Sequence, residues 1–504
     1  MLGVPLLGHI LGLVTQGVSY YRKLRLVGRA DSPTAASKTD ANWYRESTKL
    51  PIFTMFLATQ KVYVVNSPAL ISQINRRQKV IDSNPPFLAV VFGKLFSFPA
   101  HDMAELLRNP DESGSLRRDT QVVEHSLLER GMPALNEIFT AVVGGVADQI
   151  STLASEGPTT IKLSAWLSKV LPLSTAHAVF GPGNPFARDP SLLDDFWEFE
   201  GGLKGLTMGV FPSVTAAGPW KARRRLVQAF TDYHHHHLAA EDGSGSSSGA
   251  CELVRQLADV ARRHNRDAEY RARYFFAVFA AFVINTVPVT FWTIGHVVAD
   301  RALFARIRAE LDAAMGAPPP PPRLGLEKDQ QNRIIGPQDI ARIREQCPLL
   351  VSTFRETLRH VGASTSTMVV REDTSIDDGR YLLRKGALVQ MTATAVHSSP
   401  EAWGPTAAAF DPERFLTPGV VKVHPAANRT FGGGGSLCPG RHLASDEVLA
   451  FAAMFLHEFD LDLADETPRL APRDETNMLS VMKPKHDVVL RVARRRGLGN
   501  GAWV

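Results

Sequence analysis

One long stretch of the chain has no charged side chain. From Tyr274 to Ala299 there is no Asp, Glu, Lys or Arg, and a helix of this length could cross a bilayer. Asn285, Thr286 and Pro288 stand in its middle. A helix that is apolar on all sides can equally be the central buried helix of a large protein. The pattern predicts a long helix, and we favour its burial inside the protein over insertion in a membrane.

A second helical pattern follows a glycine-rich segment near the C-terminus. The segment 441–456 reads as a helix, and residues 431–440 read Phe-Gly-Gly-Gly-Gly-Ser-Leu-Cys-Pro-Gly. The glycines allow backbone N–H groups and a bulky ligand to approach the Cys438 sulfur, and the following helix N-terminus stabilises a thiolate. These features are typical of a thiolate loop that ligates haem iron. A glycine-rich turn with a stray buried cysteine is the alternative interpretation of this segment alone.

Composition narrows the class of protein. Of the 504 residues, 44% are hydrophobic and 21% are charged, as expected for a large globular core. The net charge of +5 is mild; it permits docking of an acidic electron donor or an anionic membrane, although a solvated basic surface explains it more simply, and we expect no nucleic-acid partner. Cys251, Cys347 and Cys438 are an odd number without metal-type spacing, which indicates a reducing compartment.

Two upstream segments place acidic and basic side chains in a suggestive order. Glu356 and Arg359 stand three residues apart in a helix-like segment, hence on one face. Such a pair is usually a solvated surface pair of little effect. Arg414, in the segment Phe-Asp-Pro-Glu-Arg-Phe, can offer Glu356 a second, bidentate partner. We therefore expect the three side chains to meet.

The order and approximate spacing of Glu356, Arg359, Arg414 and Cys438 resemble those of the cytochrome P-450 family. The resemblance covers most of the chain. It implies a mainly α fold with a small β portion, in one large domain over residues 1–504. Within that domain we expect an apolar N-terminal segment over residues 1–14 and a tail over residues 497–504.

The same resemblance implies a cofactor and roles for the motif residues. The cofactor is haem b, iron protoporphyrin IX, with Cys438 as the iron ligand. The loop residues Phe431, Gly434 and Gly440 would shape its surroundings. Glu356, Arg359 and Arg414 would hold the fold on the cysteine side of the haem.

On the other side of the haem, family members carry a long central helix, which residues 274–299 would supply. Oxygen-activating members usually have an acid followed by Thr there, whereas this chain has Asn285 and Thr286 and no acid. We expect these two to orient the water that supplies protons. Pro288 cannot donate to the carbonyl of Ile284, so a kink is predicted. Further residues are pocket-wall candidates by analogy: Phe282, Val289, Ser364 and Met478.

Two departures leave the haem propionates without an assigned partner. Ser436 stands where many family members carry a basic residue for a propionate, and residues 101–130 contain no clear Trp-x-x-x-Arg motif. The sequence therefore does not indicate which side chains neutralise these carboxylates.

The run from Asn285 to Trp292 resembles one branch of the family, which includes the sterol 7-alpha-hydroxylases and prostacyclin synthase. Several filamentous-fungal members are also similar. Our main hypothesis is a monooxygenase that hydroxylates a bulky apolar sterol, terpenoid or polyketide with molecular oxygen. The alternative is an isomerase or dehydratase of an oxygenated lipid that needs neither oxygen nor electrons. A third hypothesis is a haem-retaining homologue without activity.

The main hypothesis implies partners and a location. We expect an NADPH-dependent flavoprotein reductase, a small apolar substrate and a membrane surface. The expected location is the cytosolic face of the endoplasmic reticulum membrane. No apolar run of about 20 residues precedes Pro5, so an anchor is not present in this sequence. Either an anchor is missing from it, or the protein adheres peripherally through the apolar segment 1–14.

A run of histidines invites a different interpretation. Residues 234–237 are all His and a Gly/Ser-rich stretch follows at 243–249. We predict a flexible loop between helices here rather than a metal site.

Overall fold

The structure is a computed structural model that describes most of the chain. The described residues are 13, 15–17, 19–21, 50–57, 59–108, 112–208, 211–238, 249–315, 335–416, 423–464, 470–476 and 481–495. Helices predominate over strands among them, so the predicted mainly α class with a small β portion is confirmed. The expected segments 1–14 and 497–504 lie outside the described residues, apart from Leu13.

Ten strands are described. They are β1 Ile52–Leu57, β2 Gln60–Val65, β3 Ile81–Asp82, β4 Thr159–Lys162, β5 Thr365–Val370, β6 Thr374–Ile376, β7 Tyr381–Leu383, β8 Leu388–Thr392, β9 Phe459–Leu463 and β10 Val489–Arg494.

The α-helices of the described residues are numbered in chain order. They are α1 Pro68–Asn75, α2 Asn84–Leu88, α3 Ala100–Leu107, α4 Leu116–Leu127, α5 Pro133–Ser155, α6 Leu163–Phe180, α7 Pro185–Arg188, α8 Leu192–Gly201, α9 Leu203–Met208, α10 Pro212–Thr215, α11 Ala217–Tyr233, α12 Glu252–Arg263, α13 Ala268–Ala299, α14 Arg301–Met315, α15 Pro337–Gln346, α16 Pro348–Val361, α17 Ala393–His397, α18 Pro400–Trp403 and α19 Arg441–Glu458. Two π-helical segments, Ala89–Leu95 and His234–Leu238, and two 3-10 turns, Pro425–Ala427 and Gly434–Ser436, complete the helical elements.

The described residues form two compact units that alternate along the chain. The sheet unit draws on residues 1–87, 355–438 and 473–485, and the helical unit on residues 88–354, 439–472 and 486–504. Neither unit is one continuous segment, so no single linker divides the sequence. The domain boundaries expected at 1 and 504 stay a prediction.

The sheet unit is built on a five-stranded sheet in the order β1-β2-β8-β5-β3. Strand β2 pairs parallel with β8, whereas β5 pairs antiparallel with β8. The last four residues of β2, Val62–Val65, are all buried, as expected for a strand covered on both faces. This places the side chains of β5 and β8 beside the segments that carry the predicted motifs.

The helical unit contains the long apolar helix that the sequence predicts. Helix α13 begins after Asp267, whose carboxylate accepts a hydrogen bond from the Tyr270 backbone N–H at 2.8 Å and so caps the helix. Helices α5 and α13 are both long and apolar enough to cross a membrane by length and composition. Within the apolar stretch of α13, 72% of the residues are buried inside the protein. The predicted burial of this helix is therefore confirmed.

The histidine run is not the loop that the sequence predicts. Helix α11 ends at Tyr233 and continues directly into the π-helical segment His234–Leu238. The Tyr233 hydroxyl donates to the Phe180 carbonyl at 2.8 Å, and His234 is buried. This packing holds the start of the run in a helical path, so the prediction of a flexible loop is wrong for residues 234–238.

Candidate functional site

Glu356 is the centre of a buried cluster in the sheet unit. Helix α16 places Glu356 and Arg359 on one face, and Arg359 donates from Nε to Oε2 at 2.7 Å and from Nη2 to Oε1 at 2.6 Å. The Nε of Arg414 donates to both carboxylate oxygens at 3.1 Å. The structure thus brings together the three side chains that the sequence expects to meet.

Backbone groups satisfy the rest of this cluster. Arg359 Nη1 donates to the carbonyls of His397 at 2.6 Å and Ala407 at 2.7 Å, and the Asp411 backbone N–H donates to Glu356 at 3.0 Å. The carboxylate is fully buried, and the Arg359 and Arg414 side chains are 2% and 3% exposed. Buried charges are tolerated when they are paired and hydrogen-bonded in this way. The cluster can therefore fix the segments that carry it.

Cys438 closes a tight loop after Phe431. The Cys438 backbone N–H donates to the Phe431 carbonyl at 2.9 Å. Gly432 has φ 79° and a Cβ there would lie 2.4 Å from the Ser436 carbonyl oxygen. Gly434 has φ 59° and a Cβ there would lie 2.9 Å from the Asn75 Oδ1. Two glycines are thus required by the loop backbone itself.

The three cysteines differ in their surroundings. Burial raises the pKa of the Cys251 thiol to about 11 and that of the Cys347 thiol to about 12. Both thiols stay protonated at neutral pH. Cys438, by contrast, is only half-buried, and helix α19 begins three residues later, after Gly440. Of the three cysteines, Cys438 is therefore the one that is accessible to a ligand.

His397 connects the Glu356 cluster to the segment before the cysteine loop. Its Nε2 accepts from the Arg429 backbone N–H at 2.9 Å, and its Nδ1 lies 3.0 Å from the Arg359 carbonyl. Burial, and then the charge of Arg359, lowers the pKa of His397 to about 3. The imidazole is therefore neutral, accepting at Nε2 and donating at Nδ1.

A buried arginine near the cysteine loop is a second observation that fits haem binding. Arg429 is 2% exposed, yet among the described residues no carboxylate lies within ion-pair distance of it. A buried cation needs a counter-charge, and a haem carries two propionate carboxylates. The residues that would hold haem in this unit are therefore Cys438 at the iron and cationic or hydroxyl groups at the carboxylates.

The helical unit presents the other predicted residues on α13. Ala281 and Asn285 are exposed and Phe282 and Ile284 are half-buried, in a helix that is otherwise mostly buried. This accessible stripe includes Asn285 and Phe282, as a pocket-lining face requires.

Two further candidates on α13 lie off this stripe, because Thr286 is 6% exposed and Val289 is 3% exposed. The Thr286 hydroxyl donates to the Phe282 carbonyl at 2.6 Å. Helix α13 continues through Pro288 without a break, and the predicted kink stays a prediction.

The structure shows no role for the remaining pocket candidates. Ser364 is half-buried beside β5, and its carbonyl accepts from the Ala393 N–H at 2.9 Å. Met478 lies outside the described residues. Sequence reasoning gave no role to His397 or Arg429. His397 begins a run His-Ser-Ser-Pro at 397–400, but neither this run nor any residue spacing indicates the contacts of His397 and Arg429.

Comparisons with known proteins agree with this geometry. The family model described as cytochrome P-450 matches residues 37–490. The cytochrome P-450 monooxygenase nodJ of Hypoxylon pulicicidum is 26% identical over 510 residues, covering 99% of this chain and 90% of that protein. A cytochrome P-450 monooxygenase of Gibberella zeae is also 26% identical, over 519 residues, covering 99% of this chain and 89% of that protein. The cholesterol 7-alpha-monooxygenase of Cricetulus griseus is 25% identical over 230 residues, covering 43% of this chain and 44% of that protein.

Proposed function

The chain belongs to the cytochrome P-450 family, and from this premise we propose that it hydroxylates a bulky apolar substrate such as a sterol, terpenoid or polyketide. Molecular oxygen is the oxidant, and an NADPH-dependent flavoprotein reductase supplies the electrons. The observation that carries the proposal is the half-buried Cys438 in its glycine loop, in the same unit as the fully paired Glu356 cluster. Two fungal monooxygenases similar over 99% of this chain support it.

Haem b, bound through Cys438, supplies the iron at which oxygen is reduced and transferred. The chain's part on the cysteine side is to hold the sulfur. The Phe431 carbonyl accepts the Cys438 N–H, and the left-handed Gly432 and Gly434 let the loop turn tightly. Glu356, Arg359 and Arg414 keep the surrounding segments in place, which is a positioning role.

On α13, Asn285 and Thr286 organise proton supply without an acid. The Thr286 proton is already donated to the Phe282 carbonyl, so its oxygen is left to accept a hydrogen bond from a water. The Asn285 amide is exposed and can both donate to that water and accept from it. A neutral pair thus orients the water that delivers protons, and Phe282 and Val289 are the pocket-wall residues that this helix contributes.

The same proposal gives the protein a location at the cytosolic face of the endoplasmic reticulum membrane. An apolar substrate partitions into the bilayer, and the apolar segment 1–14 supplies a surface that adheres to it. When cells are fractionated, we expect the natural protein in the membrane pellet. Complete recovery in the supernatant at low salt would contradict this location.

Substitution of the cysteine tests the iron ligand. The ferrous carbon monoxide complex of the wild type should absorb at the position typical of thiolate ligation. Cys438→His should abolish that band, since imidazole donates far less charge than a thiolate. The matched controls Cys251→Ser and Cys347→Ser should keep it. Loss of the band in either control with its retention in Cys438→Ser would refute the assignment.

Oxygen dependence tests the reaction. With reductase and NADPH, Thr286→Ala should still reduce oxygen but release it as hydrogen peroxide, and product should fall by roughly 10²–10⁴-fold. Thr293→Ala is the matched control, because Thr293 makes the same bond, to the Val289 carbonyl at 2.8 Å, two turns further along α13. Anaerobic conversion of a peroxide by the purified protein alone, with no oxygen-dependent product, would instead favour the isomerase.

A further inference from the structure

Arg429 is a buried cation to which the described part of the chain supplies no counter-charge. Its backbone N–H donates to His397 Nε2, and its Nη2 donates to the Ser366 Oγ at 2.8 Å. Among the described residues no Asp or Glu forms an ion pair with it. Burial lowers the pKa of Arg429 to about 10, so the guanidinium remains charged at neutral pH. A bound anion can supply the counter-charge that the described residues do not.

The surroundings of this guanidinium belong to the cysteine loop. The Ser366 Oγ on β5 lies 3.4 Å from the Ser436 Oγ, and a Cβ on Gly433 would lie 3.5 Å from Arg429 Nη1. Arg429, Ser366 and Ser436 therefore form one polar group, here called the Arg429 group. Ser436 stands two residues before Cys438, so the group lies beside the loop that holds the iron ligand.

The contacts of the Arg429 group show which of its hydrogen-bond donors a ligand could use. The Ser436 hydroxyl donates to the Gly433 carbonyl at 2.9 Å, which uses its proton. Ser366 accepts from Arg429, so its own proton can go to the Ser436 Oγ at 3.4 Å or to a stronger acceptor that binds nearby. The group thus offers guanidinium N–H groups and one hydroxyl proton, which is the donor set that a carboxylate prefers.

We infer that Arg429 binds a haem propionate, with Ser366 as the hydroxyl donor to the same carboxylate. Position 436 lacks the basic residue that many family members place there, and Arg429 reaches the same neighbourhood from seven residues earlier in the chain. The inference rests on the proposed function, because it assumes that Cys438 holds haem. It assigns one of the carboxylate partners that the sequence left open.

The test compares haem with its dimethyl ester, in which both propionates are uncharged. Each is bound to wild type, Arg429→Gln and the control Arg371→Gln, and its loss is timed by transfer to excess apomyoglobin. Arg371 follows strand β5, which carries Ser366, but its guanidinium already pairs with the Asp82 carboxylate. Binding and loss are read from absorbance, so turnover is not needed.

The wild type should lose the ester at least about tenfold faster than haem, the size expected for a hydrogen bond between charged groups. In Arg429→Gln the ratio of the two rates should fall by about tenfold, because haem then lacks, at one propionate, the contact that the ester lacks. Any difference that remains belongs to the other propionate. Arg371→Gln should keep the wild-type difference. A full difference in Arg429→Gln would overturn the inference, since a role limited to folding would speed both losses equally.

Two further outcomes keep the inference and the proposed function apart. If the wild type holds haem by Cys438 but loses haem and ester at equal rates, the inference fails and the proposed function stands. If Arg429→Gln folds poorly, Arg429→Met takes its place in the same comparison, with the same expected result. If the wild type binds no haem with a thiolate spectrum, the proposed function fails and the inference falls with it.

Discussion

Arg359 and Arg429 are two equally buried arginines of the sheet unit, each 2% exposed, but their surroundings differ. Arg359 donates two hydrogen bonds to the Glu356 carboxylate and also donates to three backbone carbonyls. Arg429 has a single side-chain bond, to the neutral Ser366. Among the described residues, a carboxylate neutralises the first charge and none neutralises the second.

The difference separates a group that holds the fold from one that meets a cofactor. A buried ion cluster with every donor satisfied fixes the segments around it, and removing one member leaves an uncompensated charge. A buried cation without a chain carboxylate weakens the protein until an anion binds. His397 links the two, since it accepts from the Arg429 N–H and contacts the Arg359 carbonyl. Three experiments test this contrast, in decreasing order of expected effect.

Glu356→Ala should have the largest effect. Arg359 and Arg414 would remain as buried cations without a counter-charge, and breaking such a cluster costs roughly 3–5 kcal/mol of the free energy of unfolding. Little folded, haem-loaded protein is expected from expression and denaturant titration. Arg384→Ala is the control, because Arg384 pairs with Asp373 at the surface, where such pairs contribute little. A stable, active Glu356→Ala protein would show that the cluster does not hold the fold.

The link through His397 should make stability depend on pH. Its pKa is lowered to about 3 in the folded protein, below its value of about 6.5 when unfolded. Below about pH 6.5 the unfolded chain binds one more proton here. The free energy of unfolding should therefore fall by about 1.4 kcal/mol per pH unit as the pH decreases from 6.5 toward 3.

His397→Gln should remove the contribution of this one proton to the pH dependence of the free energy of unfolding. The amide can donate and accept hydrogen bonds but does not titrate in this range. Urea titrations at pH 7, 6 and 5 measure the slope. His457→Gln serves for comparison, since burial also lowers the pKa of His457, to about 4, in the helical unit. An unchanged slope in His397→Gln would mean that His397 is accessible to protons in the folded state.

Arg429→Met should have the smallest effect on stability, and the opposite sign, when haem is absent. Replacing an unpaired buried charge by an apolar side chain of similar length is often neutral or stabilising. Thermal unfolding of the haem-free protein should occur at the wild-type midpoint or above it, whereas Arg359→Met should lower the midpoint. A large loss of stability in haem-free Arg429→Met would show that the chain, and not a ligand, satisfies this guanidinium.

Local chemistry explains what the sequence could predict. Glu356 and Arg359 share a face because they stand three residues apart in a helix. The loop before Cys438 needs glycine because its backbone enters left-handed conformations at Gly432 and Gly434. The uncharged stretch from Tyr274 predicts a long helix, and the sequence motifs were sufficient to choose burial over a membrane span. Each of these features depends on neighbouring residues, so a linear pattern reveals it.

Only the tertiary structure showed that Arg429 is buried and that no described carboxylate pairs with it. Ser366 and Arg429 are 63 residues apart, and their contact depends on where β5 and the cysteine loop lie within the sheet unit. The histidine run is similar, since packing of Tyr233 on Phe180 continues a helix that local composition opposes. The sequence determined the types of residue and their local conformation. Long-range packing decided which polar groups found a partner, because a buried charge is stabilised by whichever group lies beside it in space.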